Sequence, residues 1–507
     1  MSLKYQCKPT DEGYYRLDEG VKVPVRLFLN EKLYAESEES LYYQVQTATE
    51  YPGVLDVVIT PDTHHGYVVP VGCVIATDGT LLQAAAGYDI GCFTADTLVP
   101  LVDGNSYPIG ELAAREEEIL VYAITVEHKV VVARATARKT RCAASLVRVT
   151  LDNGREIGCT PDHEFMLRDG SYRPVQALMP GTLLMPFQAA LTTEGCVAVE
   201  LPVEVLDMVA DVYCLTVPEY GNFALDAGVF VHNCGMMSFR STVPREKGLD
   251  DRLRRKFSEE VMKRIGLGVG QGGLYQFTAK QFQEIIRFGA SALGYERGNS
   301  ERDFIPVDDG WSPPHKPVER GIGQLGSLGA GNHFCELQYD QHGHLWTMVH
   351  TGSRGFGHGL ASHFIRAGKE ELQKRGLRLK GGAEAVYFEP DSPLYFGYKN
   401  AVAAGANFAI ANRLLIWQGV GKAFRRVFGQ EPELVYEISH NLIQEEVLPD
   451  GRAAWIHRKG ATRAFPAGHP LLAGTKWEAT GHPVLIPGSM GDQSFILMPK
   501  AGAAKSL

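Results

Sequence analysis

The spacing of apolar residues changes character at residues 92 and 234. Before residue 92, short mixed segments lead into the β-branched run Val54-Leu55-Asp56-Val57-Val58-Ile59, which predicts a strand, and then into Thr60-Pro61-Asp62-Thr63-His64-His65-Gly66-Tyr67, which predicts a loop. Between 92 and 233 come the β-rich runs Glu118–Ile124, Val130–Ala133 and Leu146–Leu151, with hairpin signals at Asp152-Asn153-Gly154 and Asp169-Gly170-Ser171. Beyond 234, apolar positions recur at three- and four-residue spacing over 249–265, 278–293 and 359–375, which predicts helices. Glycine-rich turns are expected at 321–331, 352–359 and 488–491. The pattern describes an α+β host, residues 1–91 and 234–507, interrupted by an all-β segment of 142 residues, 92–233.

Composition adds bounds. A chain of 507 residues exceeds what one hydrophobic core supports, so two or more domains are expected. Hydrophobic residues at 45% and charged ones at 21% fit an ordinary globular protein. No apolar run is long enough to span a bilayer, and Met1 to Cys7 lack the apolar core of a signal peptide, so a cytoplasmic protein without a membrane partner is expected. Nine cysteines, none in a CxxC pair, speak against a disulfide framework. The net charge of -9 speaks against a generally basic surface, yet Arg252, Arg254, Arg255, Lys256, Lys263 and Arg264 cluster. That cluster reads first as a solvated helix face and second as a patch for RNA.

The ends of the inserted segment carry their own chemistry. Cys92 can attack the Gly91 carbonyl and convert an amide into a thioester, and Cys234 can then accept the acyl group. Asn233 can cyclise onto its own carbonyl and release the segment, with His232 beside it to move protons. Inside, Thr160-Pro161-Asp162-His163 follows a β run. With Val212 to Pro218 and Gly221 to Leu225, these blocks resemble an intein of the Hedgehog/intein (Hint) fold. The resemblance implies that Cys92 is the first nucleophile, assisted by Thr160 and His163, and that Asn233 cyclises with help from His232. Cys234 would be the acceptor. Cys214 stands where many inteins have Asp, and Gly221 where many have His. A segment of 142 residues leaves no room for a homing endonuclease, so a mini-intein is expected.

With the segment removed, 365 residues remain, and their polar loops carry Asp62, His64, Asp89 beside Cys234, Asn332-His333-Phe334-Cys335-Glu336, His350 to Arg354, and His440-Asn441. Carboxylate, thiolate and imidazole together suit a divalent transition ion such as Mn or Zn, and spacing decides neither which ion nor whether there are one or two. Pro487-Gly488-Ser489-Met490-Gly491 and Gly329 to Asn332 read equally as phosphate-binding loops or as tight turns. Read across the gap, Asp-Ile-Gly-Cys-Gly-Met, with Gly-Asn-His-Phe-Cys-Glu, His-Thr-Gly-Ser-Arg-Gly, His457 to Arg463 and Pro-Gly-Ser-Met-Gly, resembles the RtcB family of RNA ligases.

That resemblance implies a GTP- and Mn2+-dependent ligase joining RNA 2',3'-cyclic phosphate or 3'-phosphate ends to 5'-hydroxyl ends, in tRNA splicing and RNA repair. RNA ends, from tRNA halves or broken RNA, would be its partners, with an accessory activating protein. Metal ligands would be Asp89, Cys234, His333, His350 and His440, with Cys234 able to bridge two ions. Guanine nucleotide would lie against Asn332, His333, Phe334, Cys335, Glu336, His440, Asn441, Pro487, Gly488, Ser489, Met490 and Ser494. Asp62, His64 and Arg354 would lie near the RNA phosphate or the metals. The family's guanylylated histidine sits in a His-Gly-Ala-Gly-Arg motif that the 507 residues do not contain, so the first covalent step is expected to be missing. Two alternatives therefore stand beside the ligase: a binding remnant for metal, GTP and RNA, and a metal phosphoesterase. Because a folded segment separates Asp89 from Cys234, the unspliced chain is expected not to assemble the metal site.

Overall fold

A computed structural model describes residues 3–37, 39–64, 68–86, 93–102, 105–115, 117–124, 130–151, 156–159, 164–166, 172–175, 178–184, 197–198, 202–216, 235–267, 273–295, 304–329, 333–377, 385–448, 450–488 and 493–499. The N-terminal host part supplies β1 (Lys8–Pro9), β2 (Tyr15–Leu17), β3 (Val25–Leu27), α1 (Glu39–Glu50), β4 (Val54–His64) and β5 (Val71–Thr77). The loop expected after Ile59 is instead a continuation of β4. The β4–β5 register shifts between Ile59 and His64, so the strand runs on past a bulge.

The inserted segment folds as β6 (Phe93–Thr94), α2 (Ile109–Arg115), β7 (Glu118–Ile124), β8 (Val130–Thr150), β9 (Glu156–Cys159) and β10 (Glu204–Thr216), besides shorter strands. Among its described residues the only α-helix is the seven-residue α2. β8 is one strand of 21 residues where two runs were expected, and it pairs with β7, β9 and β10. Its period-two burial is plain at exposed Val132, buried Ala133, exposed Arg134 and buried Ala135. Small alanines hide that alternation in a hydrophobicity reading. The sheet order β7-β8-β9-β6-β10 closes on itself through β8–β10 pairing. One core fills it, with Val99, Ile109, Val121, Val147, Val149, Cys159 and Phe165 among its members.

The host resumes with β11 (Gly235–Pro244), α3 (Asp251–Met262), α4 (Ala279–Phe288), β12 (Phe334–Tyr339), β13 (His344–Thr351), α5 (Arg354–Lys374), α6 (Tyr395–Phe428), β14 (Glu433–Ser439), β15 (Asn441–Val447), β16 (Ala453–Lys459), β17 (Val484–Ile486) and β18 (Phe495–Leu497). All three predicted helices are present as α3, α4 and α5. Gly355, Gly357 and Gly359 lie inside α5 rather than in a turn. A Cβ on Gly359 would come within 2.8 Å of Pro317, so the helix packs where only glycine fits.

Two host sheets matter for function. A seven-stranded sheet in the order β1-β2-β3-β4-β5-β16-β15 combines strands from both sides of the insert. A four-stranded sheet, β12-β13-β11-β14, packs one face on α3 and α6 through Met237, Phe239, Val349, Phe257 and Phe424. Its other face, with Met236, Met348 and Tyr436, is covered by Leu485 and Trp477. The 34-residue α6 is buried nearly all round and encloses Asn400, Asn407, Asn412 and Arg413, each 0% exposed. Among the described residues no helix is long and apolar enough to cross a membrane.

Candidate functional site

The antiparallel register of the four-stranded sheet gathers its polar residues at one edge. Gly235, the first residue of β11, pairs with Thr351 on one side and Ser439 on the other, and Phe334 pairs with His350. His333, His350 and His440 are thus carried to the same strand ends, where the chain enters β11 from Cys234. The His350 and His440 Nε2 atoms are 3.3 Å apart, and the His333 ring centroid is 5.9 Å from that of His350. Two imidazole nitrogens each about 2.0–2.1 Å from one ion at a tetrahedral angle would sit roughly that far apart. Burial first, then His350 and Arg413, push His440 well below the usual imidazole range, so it is neutral, as a metal ligand must be. The His350 and His440 nitrogens are therefore spaced as two ligands of one divalent ion would be. Among the described residues no group of three His, Cys, Asp or Glu side chains meets at metal-binding distance.

Helix α6 fixes this edge from beneath. The fully buried Arg413 pairs with Glu437 and donates to the Thr351 carbonyl at 2.9 Å and to Ser439 Oγ at 2.9 Å. It so ties the residues next to His350 and His440 to one another. Asn412 accepts from Gly326 N at 2.7 Å and donates to the Ser327 carbonyl at 3.0 Å and the Gly352 carbonyl at 3.2 Å. Thr351 Oγ1 donates to the Leu328 carbonyl at 2.6 Å and lies 3.5 Å from His333 Nδ1. Gly329, at φ +95°, leaves no room for a side chain: a Cβ there would collide with Arg354 Nη1 and lie 2.5 Å from His333 Nδ1. Arg354 itself has φ +50°, a left-handed conformation costing about 1–3 kcal/mol for a non-glycine residue, and its Nε donates to Ser327 Oγ at 3.2 Å.

A second polar cluster lies along β12. Phe334, Glu336 and Gln338 share a face by period two, and Gln338 Nε2 donates to Glu336 Oε1 at 2.7 Å and to Ser494 Oγ at 2.9 Å. Ser494 Oγ also accepts from Gly488 N at 3.1 Å. Burial raises the Glu336 carboxyl above its usual range. Three expected nucleotide contacts, Glu336, Gly488 and Ser494, are thus neighbours, with Pro487 adjoining. Cys335 points the opposite way, into the core with Met237 and Phe239. The Asn441 side chain accepts from Gly460 N at 2.8 Å, holding a turn. Asp89, Cys92, Thr160, His163, His232, Asn233, Cys234, Asn332, Ser489 and Met490 lie outside the described residues, as do the side chains of Asp62 and His64.

In the insert, register places the neighbours of the expected splicing residues together. Phe93, which follows Cys92, pairs with Cys159, which precedes Thr160, and with Tyr213, which precedes Cys214.

A sequence model of the family described as tRNA-splicing ligase RtcB matches residues 44–159 and 195–507. The chain belongs to that family. The tRNA-splicing ligase RtcB of Pyrococcus furiosus is 35% identical over 307 residues, which cover 54% of this chain and 31% of the relative. The RtcB of Thermococcus kodakarensis is 36% identical over 308 residues, covering 54% of this chain and 62% of the relative. The chain therefore spans 31% to 62% of the length of these RtcB relatives. Among solved structures, a DnaB intein from Synechocystis sp. PCC 6803 covers 28% of this chain and 97% of its own, at 23% identity and a TM-score of 0.24. A TvoVMA intein covers 28% and 96%, at 25% identity and a TM-score of 0.23. Within this RtcB chain, Asn412, Arg413 and Gln338 escaped the sequence reading. The signal for the first two was an Asn-Arg pair set among apolar neighbours such as Phe408, Ile410, Ala411, Leu414 and Leu415.

Proposed function

We propose that the host, residues 1–91 joined to 234–507, is a GTP- and Mn2+-dependent RNA ligase joining 2',3'-cyclic phosphate or 3'-phosphate ends to 5'-hydroxyl ends, and that residues 92–233 remove themselves first as a mini-intein. The observation that carries the ligase reading is the His350–His440 pair, 3.3 Å apart at the strand ends where β11 begins one residue after Cys234. Asp89, Cys234, His333, His350 and His440 would hold the ions. Bound there, Mn2+ would supply positive charge to a transferring phosphoryl group. Glu336, at the face it shares with Phe334 and Gln338, offers a carboxylate acceptor suited to the N-H edge of guanine. Arg354 lies beside His333 across Gly329 and offers a guanidinium fork for an RNA phosphate.

For splicing, the Cys92 thiol attacks the Gly91 carbonyl, exchanging the Gly91–Cys92 amide for a thioester, and the Cys234 thiol then takes the acyl group and releases the Cys92 thiol. The Asn233 side-chain amide attacks its own backbone carbonyl and breaks the Asn233–Cys234 bond, freeing the insert and the Cys234 amine, onto which an S-to-N shift restores an amide between Gly91 and Cys234. What supports this reading is the motif order at both junctions, together with the register that sets Phe93 beside Cys159.

The test is incubation of the spliced host with GTP, Mn2+ and RNAs bearing 3'-phosphate and 5'-hydroxyl ends. Joined RNA supports the ligase. GTP binding with neither a covalent GMP adduct nor joining supports the binding remnant. Hydrolysis of cyclic phosphate without joining would indicate a phosphoesterase.

A further inference from the structure

Helix α3 and the last turns of α6 carry a row of cations that the candidate site does not use. The two helices pack through Phe257, whose ring centroid lies 6.0 Å from that of Phe424 and 5.6 Å from that of Phe428. At the flank of this seam the Glu260 carboxylate, 6% exposed, pairs with Lys263 at 3.1 Å, Arg264 at 2.5 Å and Arg426 at 3.1 Å. One carboxylate holding three cations leaves a net positive charge at a fixed place. Lys256 lies one turn before Glu260 and Arg252 one turn before that, while Lys422 lies one turn before Arg426 on the neighbouring helix. Arg252, Lys256 and Lys422 are exposed and take part in no ion pair among the described residues. Nearby acids are largely engaged, Asp251 with Arg254 and Glu431 with Arg425; Glu259 is the exposed acid within the row.

We propose that this row holds the phosphate backbone of a base-paired stem in the RNA substrate, away from the ends being joined. The proposal rests on the ligase reading. Measured along α6, Lys422 and Arg426 stand roughly 14 and 20 Å from Arg413, which anchors the histidine edge. A base-paired stem next to the ends being joined can therefore reach the row while those ends lie at the histidines. A fixed cationic row on a chain of net charge -9 concentrates attraction for a polyanion at one place. Stems are recognised by shape and backbone contacts, which long Arg and Lys side chains on parallel ridges can make.

The test compares the spliced host with an Arg252→Gln/Lys256→Gln/Lys422→Gln variant. The probes are a hairpin RNA with a 3'-phosphate overhang and a short single-stranded RNA with the same end, titrated across salt concentrations. For the hairpin, the slope of log affinity against log salt should fall by about 3, one for each cation, and the short RNA should bind as before. Single Lys422→Gln should lower the slope by about 1. A hairpin slope equal to the parent's, or equal weakening for both RNAs, overturns the proposal while leaving the ligase reading intact. A parent host that binds neither RNA overturns both.

Discussion

Among the described residues, the core of the inserted segment draws only on residues between 99 and 203, whereas three of the host clusters join residues from both sides of the insert. Leu17, Val57 and Ile75 pack with Tyr387, and Val58 and Val74 pack with Ile456. The seven-stranded sheet likewise sets β5 against β16. The insert is thus a body with its own core, while the host forms one body across the interruption. An element can be spliced out cleanly when it shares no core with what remains. The comparison also refines the expectation that the unspliced chain cannot assemble its metal site. The edge bearing His333, His350 and His440 already stands in register in the unspliced chain; the two expected ligands flanking the insert, Asp89 and Cys234, lie outside the described residues.

The largest effect belongs to Cys92→Ala, which should abolish the spliced host and free insert on a gel; an unchanged band pattern would remove the intein reading. Next, His440→Ala in the spliced host should weaken Mn2+ binding by about 100-fold, at or above the loss seen for residues that only orient metal ligands. Its effect on splicing should be small, because the insert does not share that edge. Titration calorimetry and a splicing time course measure the two halves of the prediction.

The third effect separates the two cores. Glu437→Gln leaves the Arg413 guanidinium buried without its carboxylate, and should cost the host about 3–5 kcal/mol. In a splicing-blocked chain, calorimetry should show the host transition moving down while a transition from the insert stays in place. Equal shifts in both would mean that the cores are coupled.

The smallest effect concerns pH. His457 accepts from Leu82 N at 3.0 Å and donates through Nδ1 to the Ile75 carbonyl at 3.1 Å, so it stitches the two host parts together. Burial holds it down to about 4. As pH falls from about 6.5 towards 4, the unfolded chain binds a proton that the folded host refuses, so stability falls by up to about 1.4 kcal/mol per pH unit from this residue. Denaturant unfolding at pH 7 and 5 should show that loss, and His457→Gln should flatten it.

Much of this architecture was legible in the sequence, and the exceptions have physical causes. Glu118–Ile124 matches its predicted strand because an unbroken run rich in β-branched and aromatic residues favours extended backbone. Helix α6 was not foreseen because burial on nearly every side leaves no polar stripe to give a period. The same burial hid Asn412 and Arg413, whose role depends on strand ends distant in sequence. His333, His350 and His440 could be proposed from motifs, but only register shows that they share an edge. Cys335, which the motif placed beside nucleotide, faces the core because strand alternation puts it opposite Glu336.

The most direct test of the account is Mn2+ titration of a Cys92→Ala/Asn233→Ala chain, locked before splicing, against the spliced host. Preformed histidines, with Asp89 and Cys234 not yet joined through Gly91, predict weak but measurable binding in the locked chain, at least tenfold below that of the spliced host by the order of loss expected for missing ligand support. Equal affinity in the two would contradict the claim that excision completes the site.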